Sequence, residues 1–134
     1  MTTLTLLPGA ISLADLRRIA RGGDRIGLAE GWRRGVEESL AAVSRRLASG
    51  EALYGINTGF GKLANVRVAP DKLEQLQVNL IRSHAAGLGD PLPPDVVRAA
   101  MLLRANVLLR PTSGVRPGLV EALQDIIVDE VHKG

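Results

Sequence analysis

The sequence predicts a mainly α-helical protein with one glycine-rich loop and one short strand. Leu, Ala, Arg and Glu are abundant, and these residues favour helices. Aromatic residues make up only 2% of the 134 residues, so a core has to be built from Leu, Val, Ile and Ala. Three glycines within residues 54–61 interrupt the helical patterns, and such a run marks a loop.

Local start and stop signals define the first elements. Residues 4–7 predict a short strand, which a Pro-Gly pair ends. Ser12, with Asp15 three residues later, has the pattern of an N-cap with an acidic partner. A short helix is therefore expected over residues 12–20, and Gly22-Gly23 ends it.

A longer helix is expected over residues 28–48. Its apolar residues recur at spacings of three and four, which places them on one face. These residues are Trp32, Val36, Leu40, Val43 and Leu47. Ser49-Gly50 ends this helix, and the glycine loop follows over residues 54–68.

Three further helices are expected over residues 70–86, 94–109 and 118–131. Pro94 and the aspartate after it suit the first turn of a helix. The helix over 94–109 carries apolar residues around most of its circumference, so it is expected to be central and buried.

Composition excludes several classes of protein. The chain has no Cys and only two His, which argues against disulfides and against a structural zinc site. No continuous apolar run is long enough for a membrane span, and the N-terminus lacks a signal-peptide pattern. We therefore expect a cytoplasmic protein that does not insert into membranes.

The net charge of +3 comes from arginines clustered in the first third of the chain. Glutamates lie among them at helical spacing, which indicates exposed ion pairs along helix faces. Aromatic residues for stacking on bases are missing, apart from Trp32, so a nucleic-acid partner is not expected.

The glycine loop begins with Tyr54, which is the only tyrosine, and contains Phe60, the only phenylalanine. A phenol in a glycine loop suits acid–base chemistry. The same residues are also typical of a surface turn in which an aromatic side chain has only a packing role. The loop taken alone favours that structural interpretation.

Longer motifs favour the functional interpretation of the loop. Residues 54–61 read Tyr-Gly-Ile-Asn-Thr-Gly-Phe-Gly, and residues 79–87 read Asn-Leu-Ile-Arg-Ser-His-Ala-Ala-Gly. Arg104-Ala105-Asn106 and then Ser113-Gly114-Val115-Arg116-Pro117 follow in order. Together they resemble the aromatic amino acid ammonia-lyases, most closely the histidine ammonia-lyases. The resemblance covers nearly all of residues 1–130 and implies the helical N-terminal portion of that much longer fold.

The resemblance implies that Tyr54 is the base that removes the β-proton of the amino acid substrate. An unperturbed tyrosine pKa lies near 10, so the pKa of Tyr54 would have to fall by roughly 2 to 3 for a useful phenolate fraction near neutral pH. Gly59 and Gly61 are expected to let the loop close over the site. The loop residues implied around Tyr54 are Gly55, Asn57, Gly59, Phe60 and Gly61.

A second part of the implied site is Ser83-His84, near the end of a predicted helix. A lone histidine there is usually structural, but the resemblance implies that His84 faces the substrate side chain. Histidine at this position accompanies polar substrates such as histidine or tyrosine. Asn79 is expected to be structural, capping or bridging nearby backbone.

The family's electrophile, MIO, forms by cyclisation of an Ala-Ser-Gly tripeptide. Ala48-Ser49-Gly50 has that composition but lies at a predicted helix end, where Ser-Gly is an ordinary stop. We therefore expect no cofactor in this chain, with the family's tripeptide beyond residue 134, and no lyase activity from the 134 residues alone.

The resemblance implies conversion of L-histidine to urocanate and ammonia by a homotetramer. Two alternatives stay open. One is a non-catalytic helical module for oligomerisation or partner binding, and the other is a relative of tyrosine ammonia-lyases or aminomutases.

Overall fold

The computed structural model describes residues 2–22 and 24–132, in which helices predominate. The elements in chain order are strand β1 (Thr3–Leu6), helix α1 (Leu13–Ala20), strand β2 (Arg25–Leu28), and helices α2 (Trp32–Ala48), α3 (Leu73–His84), α4 (Pro94–Leu108) and α5 (Pro117–His132). Short 3₁₀ helices occur at Gly61–Leu63 and Pro70–Lys72. The predicted mainly α-helical class is confirmed.

The N-terminal elements follow their local signals. The strand predicted over residues 4–7 is found as β1, one residue earlier. At the start of α1, the backbone N–H of Asp15 donates to Ser12 Oγ at 3.1 Å, as the predicted N-cap requires. Gly22 after α1 has a φ of +77°, which suits a helix stop, whereas Gly23 lies outside the described residues.

A second strand, β2, was not predicted. It pairs parallel with β1, and Leu28 lies opposite Leu6 in the register. The expected helix start at residue 28 was therefore wrong, because α2 begins only at Trp32. The pairing joins residues more than 20 positions apart, and no local helix signal reports such a contact.

The chain divides into two compact units, one of residues 1–42 with 91–134 and one of residues 43–90. The first unit contains the two-stranded sheet, α1, α4, α5 and the N-terminal part of α2. Its aliphatic core confirms the expectation from composition. The buried core residues are Leu6, Ile19, Ile26, Leu102, Ala105, Leu108, Leu109, Val120 and Ile127.

Helix α4 is buried on one face only. Leu102 and Ala105 are fully buried against the core, as expected for a central helix. Val96, Leu103 and Val107 on the same helix remain between 43% and 48% exposed. The prediction of a buried helix was therefore wrong for this side, because α1 and α5 cover only part of its circumference.

Asp24 joins the first residues of the chain to α1. The backbone N–H of Thr2 donates to Asp24 Oδ1 at 3.1 Å, and Arg18 Nε donates to Oδ2 at 2.8 Å. The hydrogen bond from Arg18, followed by that from Thr2, lowers the pKa of the Asp24 carboxyl group. The same pair raises the pKa of Arg18.

The arginines on α2 form exposed ion pairs, as predicted. Arg34 Nε lies 2.9 Å from Glu38, and Arg33 lies 3.9 Å from Glu37, each pair one helical turn apart. Arg33 also pairs with Glu121 on α5. Such exposed pairs contribute little to stability individually.

The second unit contains the end of α2, the glycine loop and α3. None of the 12 residues of α3 is buried. Ile81 is 68% exposed, and Leu76 and Leu80 are half-buried. The helix predicted over residues 70–86 is found as a 3₁₀ turn followed by α3, which ends two residues early because Ala85 leaves helical backbone angles. In the part of the chain that the structure describes, no helix is long and apolar enough to cross a membrane.

Candidate active site

The glycine loop is closed by its own backbone. The N–H of Gly59 donates to the carbonyl of Val66 at 3.0 Å, and the N–H of Val68 donates to the carbonyl of Asn57 at 2.9 Å. Gly61 begins the 3₁₀ turn between these two segments. Residues 57–68 therefore fold back on themselves, although closure of the loop over a substrate stays a prediction.

All three glycines of residues 54–61 are required by geometry, Gly61 because of its φ of +57°. Gly55 has a φ of +75°, in the region that favours glycine. A Cβ atom on Gly59 would lie 2.6 Å from Leu63 Cβ and 2.7 Å from the Leu63 carbonyl oxygen. A side chain at residue 59 would thus push the 3₁₀ turn away from the loop.

Tyr54 lies on the surface of the loop, and the residue is 66% exposed. It contacts Phe60 edge to face, with ring centres 5.9 Å apart and an angle of 66° between the planes. Aromatic pairs favour this arrangement. Phe60 therefore supports one side of the Tyr54 ring, and most of the phenol stays accessible.

Thr58 is the buried polar residue of the loop, at 1% exposure. Its hydroxyl donates to the Gly59 carbonyl at 3.0 Å and accepts from the Gly55 N–H at 3.4 Å. Sequence analysis did not single out Thr58. The available signal was its position among glycines, where a short hydroxyl side chain can bond neighbouring backbone.

Ser83 and His84 share one acceptor at the end of α3. The Leu80 carbonyl oxygen lies 2.8 Å from Ser83 Oγ and 2.9 Å from His84 Nδ1. Nδ1 also lies 3.0 Å from Ser83 Oγ, and in the tautomer with the proton on Nδ1 the ring donates to the Leu80 carbonyl, which only accepts. Nε2 of His84 is then a hydrogen-bond acceptor.

The loop and α3 line a small, open apolar cavity of about 240 Å³. Its lining residues are Phe60, Leu76, Asn79, Leu80 and Ser83. Phe60 and Ser83 thus line the same cavity, and the Tyr54 ring contacts Phe60. Tyr54 and His84 do not line this cavity.

Asn79 does not bridge backbone as predicted. Its side-chain oxygen accepts from Gln75 Nε2 at 2.8 Å, one turn earlier on α3. The backbone groups of a helix interior are already paired, so an exposed amide meets its neighbour one turn away instead.

Ala48-Ser49-Gly50 has the geometry of a helix stop. Ser49 Oγ donates to the Arg46 carbonyl at 2.8 Å, and the Gly50 N–H donates to the Leu47 carbonyl at 3.0 Å. Gly50 has a φ of +77°. Because its Ser-Gly pair is engaged in ending α2, this tripeptide does not fit as a cofactor precursor.

Among residues 2–22 and 24–132, no cluster of His, Asp and Glu is arranged to hold a metal ion.

Comparison with known proteins matches the family model for aromatic amino acid lyase over residues 11–133. Histidine ammonia-lyase from Paracidovorax citrulli is 50% identical over 123 residues, which are 92% of this chain and 24% of the relative. The chain spans about a quarter of the length of the curated relatives it matches.

Solved structures agree with this match. Tyrosine aminomutase from Streptomyces globisporus superposes with a TM-score of 0.88 at 26% identity, covering 96% of this chain and 24% of that one. Histidine ammonia-lyase from Trypanosoma cruzi superposes with a TM-score of 0.77 at 31% identity, covering 92% of this chain and 24% of that one.

Proposed function

The chain belongs to the aromatic amino acid lyase family, and on that basis we propose that it forms the Tyr54-bearing part of a longer histidine ammonia-lyase. The proposed reaction eliminates ammonia from L-histidine to give urocanate. The observation that carries this proposal is the occurrence of the Tyr54 loop and the Ser83-His84 pair in one compact unit, residues 43–90. The 50% identity to a histidine ammonia-lyase supports it.

Tyr54 is the proposed base. As the phenolate, the exposed Tyr54 side chain takes the β-proton while the Cβ–H electron pair forms the double bond between Cα and Cβ. The Cα–N bond breaks, and its electron pair leaves with the amine as ammonia. No net oxidation or reduction occurs. In the family, MIO supplies activation of the amine as a leaving group. No step is assigned to Ala48-Ser49-Gly50, whose geometry does not fit that role.

His84 is the proposed contact for the substrate side chain. With the proton on Nδ1 held by Leu80, its Nε2 accepts a hydrogen bond. The ring N–H of histidine can donate such a bond, whereas the side chain of phenylalanine has no donor. This difference favours histidine over phenylalanine as substrate.

A tyrosine substrate is the second candidate. Its hydroxyl group can also donate to His84 Nε2, and the superposition with tyrosine aminomutase supports this possibility. The higher identity to histidine ammonia-lyases favours histidine.

We further propose that this part of the enzyme packs against additional polypeptide, including other copies in a homotetramer. Ile81 at 68% exposure and Leu88 at 94% exposure are large apolar side chains that support such contacts. A non-catalytic role in oligomerisation or partner binding would use the same surfaces but would not need Tyr54 or His84. A cytoplasmic location, with no nucleic-acid or membrane partner, stays a prediction.

The discriminating experiment supplies histidine, tyrosine and phenylalanine separately to the purified full-length protein and measures ammonia release with each. We expect histidine to be the best substrate. A preference for phenylalanine would contradict the assignment of His84, tyrosine turnover would support the second candidate, and no turnover with any of them would favour the non-catalytic role.

A further inference from the structure

Asn57 has a hydrogen-bond partner for each of its polar groups, in the loop or in the residues just before it. Its Oδ1 accepts from the Leu53 N–H at 2.7 Å, and its Nδ2 donates to the Glu51 carbonyl at 2.8 Å. Its backbone N–H donates to the Leu53 carbonyl at 3.2 Å, and its carbonyl accepts from Val68 at 2.9 Å. These bonds connect the segment before Tyr54 to the segment that closes the loop.

Asn57 and its neighbour Thr58 together bind the backbone on both sides of Tyr54. Asn57 holds Leu53, immediately before Tyr54, and the hydroxyl of Thr58 accepts from Gly55, immediately after it. Tyr54 itself is exposed, with its ring contact to Phe60, so the hydrogen bonds on its neighbours fix the point from which its side chain projects.

We propose that Asn57 is a positioning residue for the proposed base Tyr54, an inference that rests on the proposed function. Because its polar groups are all engaged with Glu51, Leu53 and Val68, Asn57 acts through Tyr54 rather than on the substrate. A displacement of about 1 Å in a reacting group can cost about 100-fold in rate.

The chemistry of the contact requires an amide. Its oxygen must accept from the Leu53 N–H while its nitrogen donates to the Glu51 carbonyl. If the amide were rotated by 180°, its oxygen would face the Glu51 carbonyl oxygen and its NH₂ group would face the Leu53 N–H. Asn57→Asp keeps the acceptor for Leu53 but places a carboxylate oxygen against the Glu51 carbonyl. Asn57→Ala removes both bonds.

The test is a double-mutant cycle in the full-length protein with histidine as substrate. Asn57→Ala should lower kcat by about 10- to 100-fold with little change in KM. In a Tyr54→Phe background, Asn57→Ala should cause no further loss, because no base is left to position. Asn57→Asp is a second variant in case Asn57→Ala does not fold.

Gln124→Ala is the matched control. Gln124 Nε2 donates to the Ile26 carbonyl at 3.3 Å in the other unit, so this change also removes an amide-to-carbonyl bond. It should leave kcat within about 2-fold, because it removes none of the hydrogen bonds on either side of Tyr54.

Amide hydrogen exchange over residues 51–58 gives a readout that does not depend on activity. Exchange there should become faster in the Asn57 variants and stay unchanged in Gln124→Ala. The proposal is overturned if Asn57→Ala costs the same factor in both backgrounds, or if exchange does not change. Full turnover by Tyr54→Phe would instead refute the proposed base, while faster exchange would still support the role of Asn57 in fixing the loop.

Discussion

The ring of Tyr54 rests edge to face on the ring of Phe60, with 5.9 Å between their centres. Phe60 in turn lines the cavity that Ser83 shares at the end of α3. The ring that contacts the proposed base therefore lines the same cavity as the residue next to His84. This arrangement makes separate predictions for the phenol, the imidazole and the surrounding scaffold.

Tyr54→Phe in the full-length protein should lower kcat for histidine by about 10²- to 10⁴-fold, the usual effect of losing a positioned general base. The ring contact with Phe60 is kept, and the side chain is 66% exposed, so thermal stability should change little. Initial rates and thermal unfolding measure the two effects. Turnover equal to that of the unmodified protein would remove Tyr54 from the mechanism.

His84→Leu should reduce kcat/KM for histidine by about 10-fold or more, because the hydrogen-bond acceptor for the substrate is lost. Leucine has a high helix propensity, so α3 should remain folded. His84→Gln is the matched control, since its amide keeps a polar end. Equal losses of histidine turnover and of thermal stability in both variants would indicate a structural residue instead.

The Asp24 carboxyl group should make stability depend on pH at the acidic end. Its pKa is lowered in the folded protein, so its contribution is present above the unfolded value of about 4 and is lost as pH falls through the folded pKa. Thermal unfolding of Asp24→Asn should show a lower midpoint at neutral pH and a flatter acid dependence. The exposed Asp90→Asn variant is the control, and identical pH profiles for Asp24→Asn and the unmodified protein would contradict the prediction.

Local signals predicted several helix ends, although α2 begins four residues later and α3 ends two residues earlier than expected. The cap at Ser12, the stop at Ser49-Gly50 and the start at Pro94 each depend on residues within one helical turn. Strand β2 could not be predicted in this way, because its partner β1 lies more than 20 residues earlier.

In the candidate site, too, some features follow from local sequence and others only from the fold. Motifs predicted Tyr54 and His84 as site residues, and those roles stay predictions, whereas the burial of Thr58 depends on how residues 54–68 fold around it. The bond from Gln75 to Asn79, by contrast, joins residues one helical turn apart, a spacing that the sequence does contain.

The 134-residue chain alone should show no lyase activity and no MIO. It spans about a quarter of its relatives, and Ala48-Ser49-Gly50 has the geometry of a helix stop. Cyclisation and dehydration of a tripeptide remove two water molecules, so intact-mass measurement is decisive. A mass lower by two waters, or urocanate formed by this chain, would overturn the prediction.

The 134-residue chain should also self-associate, because large apolar side chains such as Ile81 are exposed. Sedimentation velocity over a wide concentration range should show species larger than the monomer. Ile81→Gln should weaken this association, since it removes apolar surface while keeping good helix propensity. The neighbouring exposed change Arg82→Gln introduces the same side chain without removing an apolar one, so it should have a smaller effect. If both variants and the unmodified chain remain monomeric at every concentration, the exposed face of α3 does not promote association in this chain.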